Sequence, residues 1–253
     1  MKPLNGSEKP DLSIITTCKG RLKHLKQSFH RLCQLSFAGR HVEYVLVDYD
    51  DPDRCGDWLM SQDAPDWLSL TVHRMEDRPI FNVAHARNVG AVNSLANFLF
   101  FMDADCLLTE EWVAEAIRPV LLGYARYSHV RLSPKATEKF GAFCVTRTAY
   151  EAANGYDEAF NNWGHEDDDM YDRVGEKYSP PVVVDPDKIE VIRHGNDLRV
   201  RFYEDKRIAS YGKPASNSNN AKIKANRSRT VNPNGHGKAD IKTRIKWKPW
   251  LSL

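Results

Sequence analysis

The sequence predicts an α/β domain built on a mostly parallel central sheet, and three observations carry that reading. Short apolar, β-branched runs alternate with stretches of helical periodicity through the first half of the chain. Acidic or glycine-containing loops follow several of those runs directly. A chain of 253 residues can bury one large core without disulfides or a structural metal.

Each element follows from its residues. Leu12–Thr17, after Pro10, reads as a buried strand. Leu22, Leu25, Phe29, Leu32 and Leu35 recur at three- and four-residue spacing, which predicts an amphipathic helix. Val42–Val47 is a second strand, and it runs into the turn-rich loop Asp48-Tyr-Asp-Asp-Pro-Asp53. Leu68–Val72 is a third strand. Phe81, Ala84, Ala91, Val92 and Leu95 form a second helical stripe, and Phe98–Met102 a fourth strand. Thr109, with Glu110 and Glu111 behind it, starts a helix that continues through Ile117. After Tyr124 the alternation weakens. Gly141–Thr146 reads as a strand, Ala149–Asn154 as a short helix closed by Gly155, and Glu166–Val174 as another helix. Val182–Val184 and Lys188–Ile192 are short extended runs. Between Lys213 and Lys238 the chain is rich in Asn, Ser, Lys and Gly, a composition that predicts a flexible segment.

Charge and cysteine content exclude several function classes. The chain carries 36 Lys/Arg and 34 Asp/Glu, a net +2, which argues against a dedicated nucleic-acid binder. That near-neutral sum conceals a split. From Arg199 onward there are 14 basic and 3 acidic residues, a net +11, so the first 198 residues carry −9. The N-terminus is short and polar, unlike a signal peptide, and no run approaches 18 apolar residues. Five scattered cysteines without a CxxC pair indicate reduced thiols, and hence a cytoplasmic protein.

In an open parallel sheet, ligands bind beyond the carboxyl ends of the strands, so the residues after each strand carry the most weight. Asp103-Ala-Asp105 follows an apolar strand without a spacer and could hold one Mg²⁺ or Mn²⁺, or could cap the helix that follows. Arg87 sits beside a helix's apolar stripe and therefore needs an anionic partner, either a phosphate or a structural Asp. In Asn161-Asn-Trp-Gly-His-Glu-Asp-Asp-Asp169, four acids open a helix, as its dipole favours. Trp163 and Gly164 just before them suit the flat face of a sugar, with a carboxylate near enough to take a proton from a hydroxyl. His194 is either structural or a third metal ligand beside the Asp pair.

Together with Phe140-Gly-Ala-Phe, Asn154-Gly-Tyr-Asp-Glu and Ile192-Arg-His194, these motifs resemble a known family in both content and order. The chain resembles a GT-A (Rossmann-like) glycosyltransferase of the family 2 type from Leu12 to Arg199. Its later half is similar to the catalytic region of the β-1,4-galactosyltransferases and of bacterial chondroitin-polymerase-like enzymes. The resemblance implies inverting transfer of a sugar from a nucleotide diphosphate, usually UDP, to a carbohydrate or lipid-linked acceptor. It assigns Thr17, Arg21, Asp48, Arg87 and Asp103 to the nucleotide, and Asp103, Asp105 and His194 to Mn²⁺ or Mg²⁺. Trp163, Gly164 and Asp168 fall in the sugar and acceptor sites, with Asp167, or else Glu166, as general base. The galactosyltransferases have glycine where His165 stands, and a methionine ligand where Val191 stands.

The implied organisation is a flexible N-terminus (1–10), a nucleotide-sugar half (11–125), an acceptor half (126–212) and a basic, partly flexible tail (213–253). Two rival activities are a nucleotidyltransferase, which would need more than the one glycine of Thr17-Cys-Lys-Gly-Arg21, and a non-catalytic sugar- or nucleotide-binding module. The tail alternates cations with aromatic and aliphatic residues. It could touch a membrane surface peripherally, fold over the donor, or pack on the acidic domain.

Overall fold

Side chains of β1 (Leu12–Cys18) alternate between two cores, which is why the strand is buried throughout and carries no charged residue. Leu12 and Ile14 pack in the layer that holds α1 (Leu22–Leu32), while Ile15 packs in the opposite layer. The computed structural model describes residues 9–134, 137–208, 216–226 and 228–247, and the alternation sets its architecture. Next along the chain come β2 (Val42–Tyr49), α2 (Cys55–Ser61), β3 (Leu68–Met75), α3 (Val83–Asn93) and β4 (Phe98–Phe101). A short β5 (Cys106–Leu107) leads to α4 (Glu110–Trp112), a π turn (Val113–Ile117) and α5 (Arg118–Leu121). The second half contains β6 (Tyr127–Val130), β7 (Phe143–Thr146), α6 (Arg147–Ala152), α7 (Glu166–Gly175), β8 (Val182–Val184) and β9 (Glu190–Val191). It ends with α8 (Asn196–Val200), α9 (Ser216–Ala225) and β10 (Lys242–Lys246).

The main sheet has the order β10-β3-β2-β1-β4-β7-β6-β8. Strands β3, β2, β1 and β4 are parallel, β7 runs against its neighbours, β8 runs with β6, and β10 closes the opposite edge antiparallel to β3. Helices α1 and α2 cover one face, and α3, α6 and α7 cover the other. The carboxyl ends of β1 and β4 therefore open side by side, with Ile15 opposite Phe101. A separate ribbon pairs β5 with β9 through Cys106 and Val191, and Ile192 N donates to Asp105 O at 2.8 Å. This ribbon carries His194 to the Asp103–Asp105 loop across 89 residues of sequence.

Several readings of the sequence need correction. Val92 and Leu95, counted in the apolar stripe of α3, are 47% and 42% exposed, whereas α3 is buried all round from Val83 to Ala91, Arg87 included. Thr109 does cap its helix, accepting from Trp112 N at 3.1 Å, but the helix runs past Ile117 through the π turn. Strands β6 and β10 and the short helices α2, α8 and α9 were not foreseen. The largest departure is the polar stretch that composition marked as flexible. Within its described residues lie α9 and a loop in which Asn232 donates to Asn154 O and Tyr156 O, both at 2.8 Å. Asparagine amides supply there the contacts that apolar side chains usually supply.

Nor is the basic tail an appendage. β10 adds a strand to the sheet, and its cations lie on the acidic domain, with Arg244–Asp57 at 2.6 Å and Lys242–Glu76 at 2.7 Å. No helix among the described residues is long and apolar enough to cross a membrane. The expected flexible N-terminus (up to residue 8) and the last aromatic part of the tail (248–253) lie outside the described residues.

Deleting residues 242–253 strips β10 from β3 and leaves that edge unpaired. The urea midpoint of the shortened chain should fall, and its tendency to self-associate should rise. An unchanged midpoint would show that β10 adds nothing to the fold.

Candidate active site

A cavity opens where β1 and β4 end, and one buried side chain organises it. Arg87 is on the core side of α3 and 2% exposed, where an unpaired guanidinium would be prohibitive. Its Nη2 donates to Asp103 Oδ1 at 2.8 Å and its Nη1 to Asp167 Oδ1 at 2.7 Å, while Glu166 Oε1 stands 3.6 Å away. The Tyr156 ring lies 4.9 Å from the guanidinium carbon. Burial pulls the Arg87 pKa down, but Asp167, Asp103 and Glu166 more than offset it and hold it above its ordinary range. The sequence left a phosphate or a carboxylate open as partner for Arg87, and the structure supplies carboxylates.

The same crowding acts on the acids. Burial pushes the Asp167 carboxyl well above the usual carboxylate range; Arg87 opposes that shift, and Glu166 and Asp103 add to it. Glu166 moves the same way, chiefly through burial. Both open α7, whose first turn is unusual. Gly164 (φ +107°) and His165 (φ +71°) have left-handed backbone just before it, and Gly164 N donates to Glu166 Oε2 at 3.2 Å. A histidine in that region is strained. The residue where the galactosyltransferases have glycine is thus one whose backbone favours glycine.

On the opposite wall Asp103, Asp105 and His194 line the cavity. His194 Nδ1 is 3.1 Å from Gly195 O, so it donates there, and Nε2 faces Asp105 Oδ2 at 2.8 Å. A ring with its proton on Nδ1 leaves the Nε2 lone pair beside the Asp105 carboxylate, where the two can ligate one cation. Ligating atoms of Asp103, Asp105 and Cys106 also lie within 4.8 Å of one another, although burial pushes the Cys106 thiol up and keeps it protonated. Two carboxylates and an imidazole are a donor set suited to Mn²⁺ or Mg²⁺. Val191, where the galactosyltransferases place a methionine, lines the same wall and offers no donor atom.

Thr17, near the end of β1, and Arg21, in the loop after it, reach the cavity. Arg21 Nη1 is buried without a hydrogen-bond partner; burial lowers its affinity for its proton, and nearby Asp105 opposes that. Trp163 forms part of the rim, with the Arg199 guanidinium carbon 5.3 Å from its ring centre.

Three expected residues are elsewhere. Asp48 is fully buried below the loop, where its oxygens accept from Asp51 N at 2.9 Å and Gly56 N at 3.2 Å. Gly164 lies behind the wall, and Asp168 turns away to Lys224 at 2.6 Å and His165 at 3.2 Å. Sequence reasoning missed Lys19, Phe81, Phe202 and Tyr203, which also line the cavity. Lys19 Nζ donates to the carbonyls of Tyr49 and Asp50, and Phe81 stacks on Tyr203 at 6.2 Å. No spacing marks these aromatic residues, because their segments meet only in three dimensions.

A profile described as Glycosyl transferase family 2 matches residues 13–134, and one described as N-terminal domain of galactosyltransferase matches residues 125–191. Comparison with curated protein sequences gives no match. Among solved structures, TarS 1-349 of S. aureus in complex with UDP-GlcNAc is 16% identical. It has a TM-score of 0.59, over 76% of this chain and 60% of that one. The mannosyltransferase PcManGT of Pyrobaculum calidifontis, in complex with GDP-Man and Mn²⁺, is 17% identical with a TM-score of 0.57, over 79% and 65%. GalNAc-T7 with UDP, GalNAc and Mn²⁺ is 14% identical with a TM-score of 0.57, over 74% and 45%. The chain thus spans about 60% of the TarS 1-349 length, and these likenesses establish a shared fold.

Gly141 leaves the space that Asp103 needs: a Cβ there would fall 2.2 Å from Asp103 Oδ2. Since Arg87 holds that carboxylate in place, Gly141→Ala should cost about 1–3 kcal/mol of stability through overpacking. It should also weaken whatever stabilisation added Mn²⁺ gives. Urea unfolding with and without the ion measures both, and a silent substitution would show that Asp103 is free to move.

Proposed function

This chain is a GT-A-fold glycosyltransferase of the family 2 type with a galactosyltransferase-like second half, and from that premise we propose that it moves a sugar from UDP to a carbohydrate hydroxyl with inversion. The observation that carries the proposal is the cavity's two-sided chemistry. Asp103, Asp105 and His194, donors of the kind that suit a divalent cation, face the raised-pKa pair Glu166 and Asp167, and Arg87 is bonded to both sides. A nucleotidyltransferase needs no such base, and a binding module needs neither.

In this reading Thr17 and Lys19 meet the nucleoside end of the donor. The unpartnered Arg21 Nη1 donates to a phosphate oxygen. Asp103, Asp105 and His194 would hold Mn²⁺ or Mg²⁺, which when bound offsets the charge that develops on the departing diphosphate. Trp163 presents a ring face to a sugar at the rim. Asp167 accepts the acceptor's proton as that oxygen bonds to the anomeric carbon and the bond to the diphosphate breaks on the opposite face. Glu166 is the second candidate for this role. Arg87 keeps Asp167 aligned and partly charged in a site that would otherwise neutralise it. Support for UDP and Mn²⁺ comes from the ligands of the similar structures, TarS with UDP-GlcNAc and PcManGT with Mn²⁺ among them.

Asp167→Asn should lower UDP release during transfer by about 10²–10⁴-fold. Its affinity for UDP with Mn²⁺ should change little, and near-normal turnover would remove Asp167 from the role. The base must be ionised, and burial raises its pKa. Turnover should therefore climb with pH through a midpoint above the ordinary carboxylate range, measured as kcat against pH. A midpoint at or below that range would contradict the assignment. Chelation should abolish transfer and added Mn²⁺ restore it.

A further inference from the structure

Asn220 belongs to the stretch that composition marked as flexible, yet it is 3% exposed. Its side-chain amide donates to Gly164 O at 2.8 Å and Trp163 O at 3.2 Å, and reaches Asn162 O at 3.5 Å. One amide thus gathers the last carbonyls before α7. That turn needs outside help, because two successive residues have left-handed backbone and no side chain caps the helix behind it. Asn217 of α9 stands over the same place, 2.6 Å from where a Cβ on Gly164 would be. One helical turn on, Lys224 Nζ pairs with Asp168 at 2.6 Å and Asp172 at 2.9 Å. Helix α9 therefore grips both the turn and the first turn of α7.

The inward side of that turn holds the reacting groups. Trp163 is on the cavity rim, Gly164 N donates to Glu166 Oε2, and Asp167 meets Arg87. We infer that Asn220 is a positioning residue, which acts through the Trp163–His165 turn to hold Glu166 and Asp167 against the acceptor. The significance of that turn rests on the glycosyltransferase reading; the grip itself does not. The nucleotide and cation wall is built from β1, β4 and the β5–β9 ribbon, none of which contacts Asn220 through these bonds. Loosening the grip should therefore affect turnover and leave donor binding intact.

The test uses the full chain with Asn220→Ala, Asn220→Gln and, on the exposed face of the same helix, Asn219→Ala. Two readouts are taken: steady-state transfer from a UDP-sugar with Mn²⁺, and hydrogen exchange of the amides of residues 163–169. Asn220→Ala should lower kcat by about tenfold to a hundredfold, as a small misplacement of reacting groups does. Its donor KM should stay within about twofold, and exchange across 163–169 should quicken. Asn220→Gln, which keeps the amide donor, should recover part of the loss, and Asn219→Ala should match the parent chain. If Asn220→Ala does not fold, Lys224→Gln loosens the same grip and should give the same split at smaller size. Unchanged kcat, a change confined to donor KM, or unaltered exchange in the folded variant would overturn the inference. A parent chain that transfers nothing from any UDP-sugar would overturn the glycosyltransferase reading instead. In that case exchange alone decides the grip, and quickening in Asn220→Ala upholds it.

Discussion

A guanidinium buried in a helix face must be surrounded by acceptors, and Arg87 meets that demand with carboxylates from two distant parts of the chain. Asp103 comes from the loop after β4, and Glu166 and Asp167 from the start of α7. One positive charge among three acids leaves two negative charges to be met by protons or a cation. Burial displaces the Asp167 carboxyl upward, and the excess negative charge of Glu166 and Asp103 adds to that displacement. The next residue extends the same logic. Asn88, fully buried, donates to Tyr156 O and Glu158 Oε1 at 2.8 Å each and accepts from Tyr156 N at 2.8 Å. Two adjacent polar residues of α3 thus tie the first half of the chain to the second, at positions where a helix of this kind would ordinarily be apolar.

The C-terminal quarter completes this arrangement. Glu158, held by Asn88, also accepts from Gly237 N at 2.7 Å, and Asn232 bonds to the backbone on both sides of Gly155. A basic segment lies against an acidic domain, which removes part of the self-repulsion that a −9 body would otherwise carry. The near-neutral whole is therefore made of two parts that are paired in space, and the pairing passes next to the site through Lys224 and Asp168.

What could be read from the sequence divides along physical lines. The parallel front half was legible because strands buried on both faces leave runs rich in apolar and β-branched residues, as in Leu12–Thr17 and Val42–Val47. The Asp103–Asp105 pair and His194 were legible because short spacings after strands bear on chemistry directly. Arg87 was legible as a conflict, though its partners were not, since nothing local distinguishes a distant carboxylate from a phosphate. Asp48 shows the reverse case: a carboxylate in the expected loop that serves the loop's own amides. Helix α9 was not legible because hydrogen-bonded asparagines have no hydrophobic period, whereas packing on the acidic domain was among the places open to the basic tail. Strand β10, Lys-Thr-Arg-Ile-Lys, has the composition of a solvated edge.

One guanidinium couples the Asp103 side of the cavity to the Asp167 side. Arg87→Lys tests it most directly, since an ammonium cannot span Asp103 and Asp167 with paired donors. The variant is first required to keep the native circular dichroism spectrum. Calorimetric titration with UDP in the presence of Mn²⁺ and turnover of a UDP-sugar are then measured on the same sample. Both should fall together, with binding weakened and turnover lost more steeply. A folded Arg87→Lys chain that binds UDP and transfers sugar as the parent does would contradict this coupling.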